Sequence, residues 1–269
     1  MYSEYMEAIK YAAFALFGLI LGSFGNVLLY RLPRKIPIGL SRSRCDACEA
    51  QIKGYDNIPV LSYLLLRGKC RSCAARISPR YPVIELAAGF LWVAPLLLGQ
   101  PAPQAAISAM FTTALLVIAV MDFEHMIVPD SMVITIAALS IPGFIMRIDP
   151  GWLDRLIGAF GAGAFFYLLA VLSEKILKKE GLGGGDIKLA AAAGLVLGWQ
   201  LSALAIGLGA VAALVMIVLM KVFSRDLNAE KQVPFAPALA VAMAVSHYFG
   251  PDMIHWYLHL VLGPAQTCC

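Results

Sequence analysis

The chain has 269 residues, of which 60% are hydrophobic and only 14% are charged, and its mean hydropathy is +0.78. Soluble domains carry about 25% charged residues, so this composition excludes an ordinary soluble protein and indicates an integral membrane protein. The net charge of +4 reflects the placement of basic residues in loops, which indicates membrane topology rather than a nucleic-acid partner.

The apolar runs predict an all-α fold with about eight transmembrane helices. They cover residues 8–32, 83–98, 104–121, 131–146, 153–177, 187–197, 201–223 and 235–249, and the last can continue to residue 262 after a kink at Pro251. Small residues such as Gly158, Gly161 and Gly163 favour close packing of these helices in lipid. No internal repeat is expected.

The basic residues predict the orientation of the chain in the membrane. Eleven of the 21 lie between Arg31 and Arg80, and seven more fall in loops on the same side. That side is cytoplasmic by the positive-inside rule, so both termini are expected outside. We expect three regions: a first helix within residues 1–32, a cytoplasmic loop at 33–82 and a helical core at 83–269. The first helix should be retained, because acidic residues precede it.

Four cysteines in the cytoplasmic loop form two Cys-x-x-Cys pairs, Cys45 with Cys48 and Cys70 with Cys73. Four thiolates at this spacing predict a tetrahedral zinc site, and a site with four protein ligands is structural rather than catalytic. A redox pair or unrelated cysteines are the alternatives, although disulfides are rare in a reducing compartment. The spacing does not assign a role to Cys268 and Cys269.

Two polar features near these cysteines have competing interpretations. Gly68 and Lys69 precede the second pair, where a simple turn with a solvated charge is one explanation. Glu85 follows the loop, near the start of the second predicted helix. It can be a buried functional group, or it can complement the helix dipole from the first turn.

Asp122 and Asp186 are the candidate catalytic residues. Asp186 follows the glycines Gly183 and Gly185 and stands at a membrane boundary, where ionisable groups are costly and often functional. The glycines allow positive φ and a close approach of backbone; an interhelical turn in which Asp186 caps the next helix is the alternative. Asp122 ends an apolar run in which no turn chemistry requires it.

Two crossings separate the two aspartates, so both are expected at the cytoplasmic face. If their helices are neighbours, repulsion lets one carboxylate hold a proton while the other ionises, which supplies an acid and a base for peptide hydrolysis. Nearby, Asp130 is expected to cap the fourth helix, Lys188 lies immediately after the glycine-rich segment, and His125 lacks companions for a metal site.

Taken together, these residues resemble the type IV prepilin peptidases, bifunctional membrane aspartyl proteases with a Gly-x-Gly-Asp motif. The resemblance spans nearly the whole chain, and it includes Asp122, Pro129, Asp130, Gly183, Gly185, Asp186, Glu85 and residues 22–33, 44–45, 58–59, 67–70 and 77–82. Gly25 and the lack of a proline after Cys45 depart from the family pattern without affecting the expected chemistry.

The resemblance implies Asp122 and Asp186 as catalytic aspartates, supported by Gly183, Gly185, Lys188 and Asp130. It also implies a structural zinc ion on the four loop cysteines. The expected reaction is removal of the basic leader of prepilins or pseudopilins after a glycine, at the cytoplasmic face of the bacterial inner membrane. Methylation of the new N-terminus by S-adenosylmethionine should follow, near Gly68 and Lys69. No nucleic-acid partner is implied.

Two other functions fit a pair of membrane aspartates. An intramembrane protease of presenilin type is one, although the zinc loop and the boundary position of Asp122 disfavour it. A transporter or proton pathway is the other. Cleavage of a prepilin in proteoliposomes, as opposed to ion flux with intact substrate, separates the peptidase from the transporter.

Overall fold

The computed structural model describes residues 2–39, 43–146, 148, 150–177, 183–223 and 234–262. It is 77% helical, and no strand occurs in the described residues, so the all-α prediction is confirmed. The helices are α1 (Tyr2–Arg31), α2 (Leu61–Leu65), α3 (Arg80–Leu97), α4 (Ala102–His125), α5 (Asp130–Ala138), α6 (Ser140–Ile145), α7 (Trp152–Leu177), α8 (Gly184–Phe223) and α9 (Ala236–Leu262).

Five helices of the described chain, α1, α3, α4, α7 and α8, are long and apolar enough to cross a membrane. The predicted run 131–146 forms the two shorter helices α5 and α6. As expected, α9 passes through Pro251 and continues to Leu262. Many of the large apolar side chains along these helices are exposed, for example Phe160 at 75% and Leu168 at 64%, which suits contact with lipid.

α8 is interrupted at Gly198, where the backbone has φ 74° and ψ 178°. The helix has 40 residues, so at 1.5 Å per residue it would extend about 60 Å, twice the bilayer core. The interruption therefore separates the two predicted runs 187–197 and 201–223. Arg155 of α7 is buried beside it and donates a hydrogen bond to the Leu195 carbonyl at 2.8 Å, which satisfies an acceptor near the end of the first segment.

The chain divides into two compact units, residues 1–117 and 118–269. In the first unit α1 packs on α3, and small residues allow the close contact. A Cβ added at Gly22 would lie 2.7 Å from the Glu85 Cα, and one at Gly18 would lie 2.8 Å from the Ala88 carbonyl oxygen. The α3 residue Trp92 donates a buried hydrogen bond to the Thr113 hydroxyl of α4 at 3.2 Å.

In the second unit, α8 packs against α5, α7 and α9. The crossing of α7 and α8 depends on Gly158 and Gly194, because a Cβ added at Gly194 would lie 2.5 Å from the Gly158 backbone. Gly163 also faces α8, at Ala191, whereas a Cβ at Gly161 would meet no atom within 4 Å. Small-residue packing therefore holds at Gly158 and Gly163 but does not explain Gly161.

We predict that Gly158→Ala destabilises the protein, because its methyl group would lie 2.6 Å from the Gly198 backbone. Overpacking of this kind costs about 1–3 kcal/mol. Gly161→Ala is the matched control, and its higher helix propensity should leave stability equal or raise it by up to about 1 kcal/mol. Thermal unfolding of the purified variants in detergent measures both, and equal midpoints for the two variants would contradict this packing.

Candidate active site and metal centre

The four loop cysteines lie in two copies of one local structure. The Cys45 amide donates to the Ala50 carbonyl at 3.0 Å, and the Cys70 amide donates to the Ala75 carbonyl at 2.8 Å. Isolated bridges join Arg44 with Gln51 and Lys69 with Arg76, and both Glu49 and Ala74 have positive φ. The two copies are therefore related by a shift of 25 residues along the chain.

The expectation that the chain contains no internal repeat is therefore wrong at this short scale. The repeat is visible in the sequence, because residues 44–50 and 69–75 both consist of a basic residue, Cys-x-x-Cys, one further residue and an alanine. Each copy folds the turn that follows its second cysteine in the same way. Two such turns facing each other present their thiols to a common centre.

The four thiols fit a tetrahedral metal ion. All four Sγ atoms lie within 4.8 Å of one another, and the Cys45 and Cys73 Sγ atoms are 3.8 Å apart. A zinc ion with Zn–S bonds of about 2.3 Å in tetrahedral geometry separates its sulfurs by about 3.8 Å. Among the described residues of the segment 33–79, the buried ones are Ser62 and Gly68, so the loop has little apolar core to stabilise it.

Backbone amides and neighbouring thiols shift the titration of two cysteines in opposite directions. The amides of Cys73 and Ser72 point at the Cys70 sulfur and lower the pKa of that thiol to about 7. At Cys48 the Ala50 amide lowers the pKa, but the neighbouring thiols and burial raise it to about 12 overall. Four thiolates at this separation repel one another, and a cation at the centre relieves that repulsion.

Gly68 and Lys69 lie at the turn between α2 and the second cysteine pair. Gly68 has φ 67°, and an added Cβ would lie 3.0 Å from the Tyr63 ring and its hydroxyl. The Gly68 amide donates to the Tyr63 carbonyl at 2.9 Å, while the Gly68 carbonyl accepts from the Ile77 amide at 2.8 Å. Only glycine fits this position without strain, and the adjacent Lys69 is exposed.

Glu85 does not lie in the first turn of its helix, because α3 begins at Arg80, so the helix-dipole interpretation is wrong. The residue is 8% exposed, and its Oε2 accepts a hydrogen bond from the Val60 amide at 2.7 Å. The Ser23 side chain also lies beside this carboxylate. The other interpretation, a buried polar group, matches this environment.

In the second unit, Asp122 lies near the end of α4 and is 7% exposed. Its Oδ2 accepts a hydrogen bond from the Ala236 amide at 3.1 Å. Ala236 is the first residue of α9, so this amide has no partner within its own helix. The N-terminal end of α9, which carries partial positive charge, therefore faces the Asp122 carboxylate.

Asp186 is the third residue of α8 and is also 7% exposed. The alternative interpretation, in which Asp186 is the N-cap of this helix, is wrong, because Gly183 precedes the helix. Asp186 reaches back to the Gly183 backbone, and the Asp186 amide donates to the Gly183 carbonyl at 3.1 Å. Its Oδ1 is buried without a hydrogen-bond partner in the described part of the chain. Such a group is costly, and a catalytic role is one explanation for keeping it.

The glycine-rich segment serves a close approach of backbone rather than positive φ. Gly184 and Gly185 lie in the first turn of α8, and the described glycines with positive φ are Gly68, Gly99 and Gly198. A Cβ added at Gly185 would lie 2.7 Å from the Val128 Cβ. The first turn of α8 therefore packs directly on the segment that follows α4.

The two aspartates lie close enough for the Asp122 charge to act on the Asp186 carboxylate. Both are buried, and each is approached by the N-terminal end of a helix. Two neighbouring buried carboxylates favour a state in which one is protonated and the other ionised. Such a pair can activate a water molecule and donate a proton to a leaving group.

Asp130 does not cap α5, because Pro129 occupies the N-cap position and the helix begins at Asp130 without a side-chain cap. Its carboxylate instead pairs with Lys188 of α8, at 2.8 Å from Oδ1 to Nζ. Both side chains are well exposed, and exposed ion pairs contribute about 0–1 kcal/mol. His125 Nε2 lies 3.9 Å from the neighbouring Glu124 carboxylate.

Sequence reasoning missed the contributions of Ala236 and Val128. Pro237 was the available signal for Ala236, because proline is frequent at the start of a helix, where the first amides have no partner in the helix. The contact between Val128 and Gly185 joins residues 57 positions apart, and no local pattern predicts it.

We predict that Gly185→Ala impairs the site, because the added methyl group collides with Val128 and displaces the first turn of α8 with Asp186. Gly184→Ala is the matched control, since a Cβ there would meet no atom within 4 Å. Cleavage of a prepilin by the purified variants provides the measurement. Activity should fall by roughly a hundredfold in Gly185→Ala, as for a misplacement of about 1 Å, and equal activity in the two variants would refute this role.

These features define a multi-pass helical membrane protein with a four-cysteine loop and a buried pair of carboxylates. The sequence profile described as "Bacterial Peptidase A24 N-terminal domain" matches residues 16–98, and the one described as "Type IV leader peptidase family" matches residues 109–218. The chain belongs to the type IV leader peptidase family. No solved structure matches it.

Three relatives named "Prepilin leader peptidase/N-methyltransferase" illustrate the similarity. The protein from Bacillus subtilis (strain 168) is 32% identical over 253 residues, covering 92% of this chain and 98% of the relative. The one from Stutzerimonas stutzeri is 33% identical over 278 residues, covering 90% and 91%. The one from Aeromonas salmonicida (strain A449) is 30% identical over 279 residues, covering 92% and 93%.

The family and enzyme class inferred from the sequence are thereby confirmed, and the family together with the apolar helices indicates an inner-membrane multi-pass protein. The roles of individual site residues and the division at residues 32 and 82 stay predictions. Cys268 and Cys269 lie outside the described residues.

Proposed function

We propose that the protein is an aspartyl endopeptidase that removes the basic leader of prepilins or pseudopilins, with Asp122 and Asp186 as its catalytic residues. The proposal rests on one observation. The two carboxylates are both buried and lie close enough for their charges to interact. A polar pair in an apolar bundle is costly and is retained where it serves a function. The names of the relatives supply the substrate class.

In the proposed mechanism the ionised carboxylate takes a proton from a water molecule that attacks the scissile carbonyl. The protonated carboxylate hydrogen-bonds the carbonyl oxygen and then donates its proton to the leaving nitrogen. The Ala236 amide fixes one oxygen of Asp122 at 3.1 Å, and the Gly183 backbone holds Asp186. Both side chains are thus oriented before substrate arrives, which favours catalysis.

The same protein is proposed to methylate the new N-terminus after cleavage at a glycine, with S-adenosylmethionine as methyl donor. The relatives carry N-methyltransferase in their names. Gly68 and Lys69 are the candidate residues for this second reaction, since they form a glycine-dependent turn with an exposed basic side chain. The site would bring a donor molecule and an amine together on the loop.

We assign the metal of the four-cysteine centre as zinc with a structural role. The sulfur separations suit tetrahedral zinc, and four protein ligands leave no open position for a reacting water. Metal binding can supply the folding free energy that the small core of this loop lacks. The chemistry at Asp122 and Asp186 does not involve this ion.

The proposed orientation follows the basic residues, with the loop containing the cysteines in the cytoplasm and both termini in the periplasm. The membrane is the bacterial inner membrane. The exposed positive charges of the loop would contact anionic lipid headgroups, which attract basic segments at membrane surfaces. No part of the proposed function involves nucleic acid.

For the peptidase, we predict that Asp122→Asn and Asp186→Asn each lower prepilin cleavage by roughly three to four orders of magnitude, because residues that act as a unit fail together. Asp130→Asn is the matched control, and it should lose less than tenfold because the Lys188 ion pair that it weakens is exposed. Cleavage in proteoliposomes at equal protein abundance measures all three. Comparable losses in all three variants would refute the assignment.

For the metal centre, we predict that Cys45→Ser and Cys70→Ser remove bound zinc and lower methylation more than cleavage. The metal orders the loop and does not touch the scissile bond. Ser72→Ala is the matched control, because this exposed side chain lies between two ligands without being one. Elemental analysis measures the bound zinc, and mass spectrometry of the products measures cleavage and methylation. A zinc content unchanged by both cysteine substitutions would refute the assignment.

A further inference from the structure

Glu85 is a buried carboxylate in the first unit that neither the metal centre nor the proposed peptidase uses. It lies on α3 where that helix packs against Gly22 of α1, so closely that a Cβ at Gly22 would be 2.7 Å from the Glu85 Cα. The Ser23 side chain lies beside the carboxylate on the α1 side. Glu85 is thereby anchored within the helical part of the unit.

The carboxylate reaches out of this helix pair to the loop. Its Oε2 accepts a hydrogen bond of 2.7 Å from the Val60 amide. Val60 has φ 61° and ψ −48°, a conformation that is unfavourable for any residue with a Cβ and especially for a β-branched one. Strained conformations persist only where their surroundings impose them, and the bond to Glu85 is such a restraint.

Val60 is the residue that precedes α2, and α2 leads directly to Gly68. The helix has only five residues, Leu61–Leu65, so its position depends on the contacts at its ends. At the first end the Val60 amide is fixed by Glu85. At the second end the Tyr63 carbonyl accepts from the Gly68 amide at 2.9 Å, and the Tyr63 ring covers Gly68.

A continuous set of contacts therefore runs from the membrane helices to the turn at Gly68 and Lys69. We propose that Glu85 is a positioning residue for methyl transfer, which holds this turn in place through the Val60 amide and α2. The inference rests on the proposed methyltransferase role of Gly68 and Lys69. Glu85 itself need not touch the methyl donor, because its carboxylate binds the Val60 amide and lies beside Ser23.

Glutamine and alanine substitutions separate this role from a direct one. Glu85→Gln keeps an acceptor oxygen for the Val60 amide and should retain methylation. Glu85→Ala removes the acceptor and should raise the KM for S-adenosylmethionine roughly tenfold or more, the loss expected for a hydrogen bond to a charged group. Prepilin cleavage and zinc content should stay near wild type in both.

Hydrogen exchange of the purified full-length variants gives a readout that does not depend on activity. Protection of the segment 58–68 should fall in Glu85→Ala and persist in Glu85→Gln. Because Glu85→Ala can fold poorly, Ser23→Ala supplies a milder variant that loosens the same carboxylate. Ser23→Ala should lower the protection of the segment 58–68 and raise the KM for S-adenosylmethionine, both by a smaller factor than Glu85→Ala does.

Lys69→Ala in the same assays distinguishes a failure of the link through Val60 from a failure of the methyltransferase role of the turn. If Lys69→Ala abolishes methylation while Glu85→Ala leaves both the KM and the exchange unchanged, the link through Val60 is refuted and the assignment of the turn survives. If Lys69→Ala leaves methylation intact, the assignment of the turn fails and this inference fails with it. Equal damage by Glu85→Gln and Glu85→Ala would show that the negative charge acts directly, which overturns a positioning role.

Discussion

Two carboxylates buried together in an apolar helical unit are the constraint on which the second half of the structure depends. A charge in such surroundings is expensive unless donors or partners compensate it. Here the compensation comes from backbone, with the N-terminal amide of α9 on Asp122 and the Gly183 backbone on Asp186. Gly185 allows the first turn of α8 to pack on Val128, and Gly158 and Gly194 allow α7 to pack on α8. The glycines thus let the helices pack closely around two polar groups that would otherwise be costly in an apolar unit.

The first unit has a different constraint, because its loop has hardly any buried residues to stabilise it. Two copies of one cysteine turn bring four thiols within metal-binding distance, and metal binding can replace a hydrophobic core as the source of folding free energy. A metal alone would still leave the loop unattached at α2. The Val60 amide on Glu85 provides that attachment from the helical part of the same unit, so the loop is held both by its own centre and by α3.

Much of this architecture could be predicted from sequence, because lipid imposes long apolar helices and because paired cysteines have few alternatives. The family followed from motif residues spread from residue 22 to residue 186. The tertiary partners of Asp130 and Glu85 could not be predicted. The local sequence predicts that Asp130 is a helix cap, but its carboxylate pairs with Lys188. The local sequence also places Glu85 in the first turn of its helix, but the helix begins earlier, at Arg80. In each case a tertiary partner, invisible to local pattern, decides the role of the side chain.

The central claim is that Asp122 and Asp186 act as one unit. A double-mutant cycle on prepilin cleavage tests it most directly, with the two asparagine variants and their combination compared under single-turnover conditions. Residues that share one catalytic step show strongly non-additive losses, so the account predicts that the double variant is hardly slower than either single variant. Losses that multiply in the double variant would mean that the two carboxylates contribute independently, and that result would contradict the account.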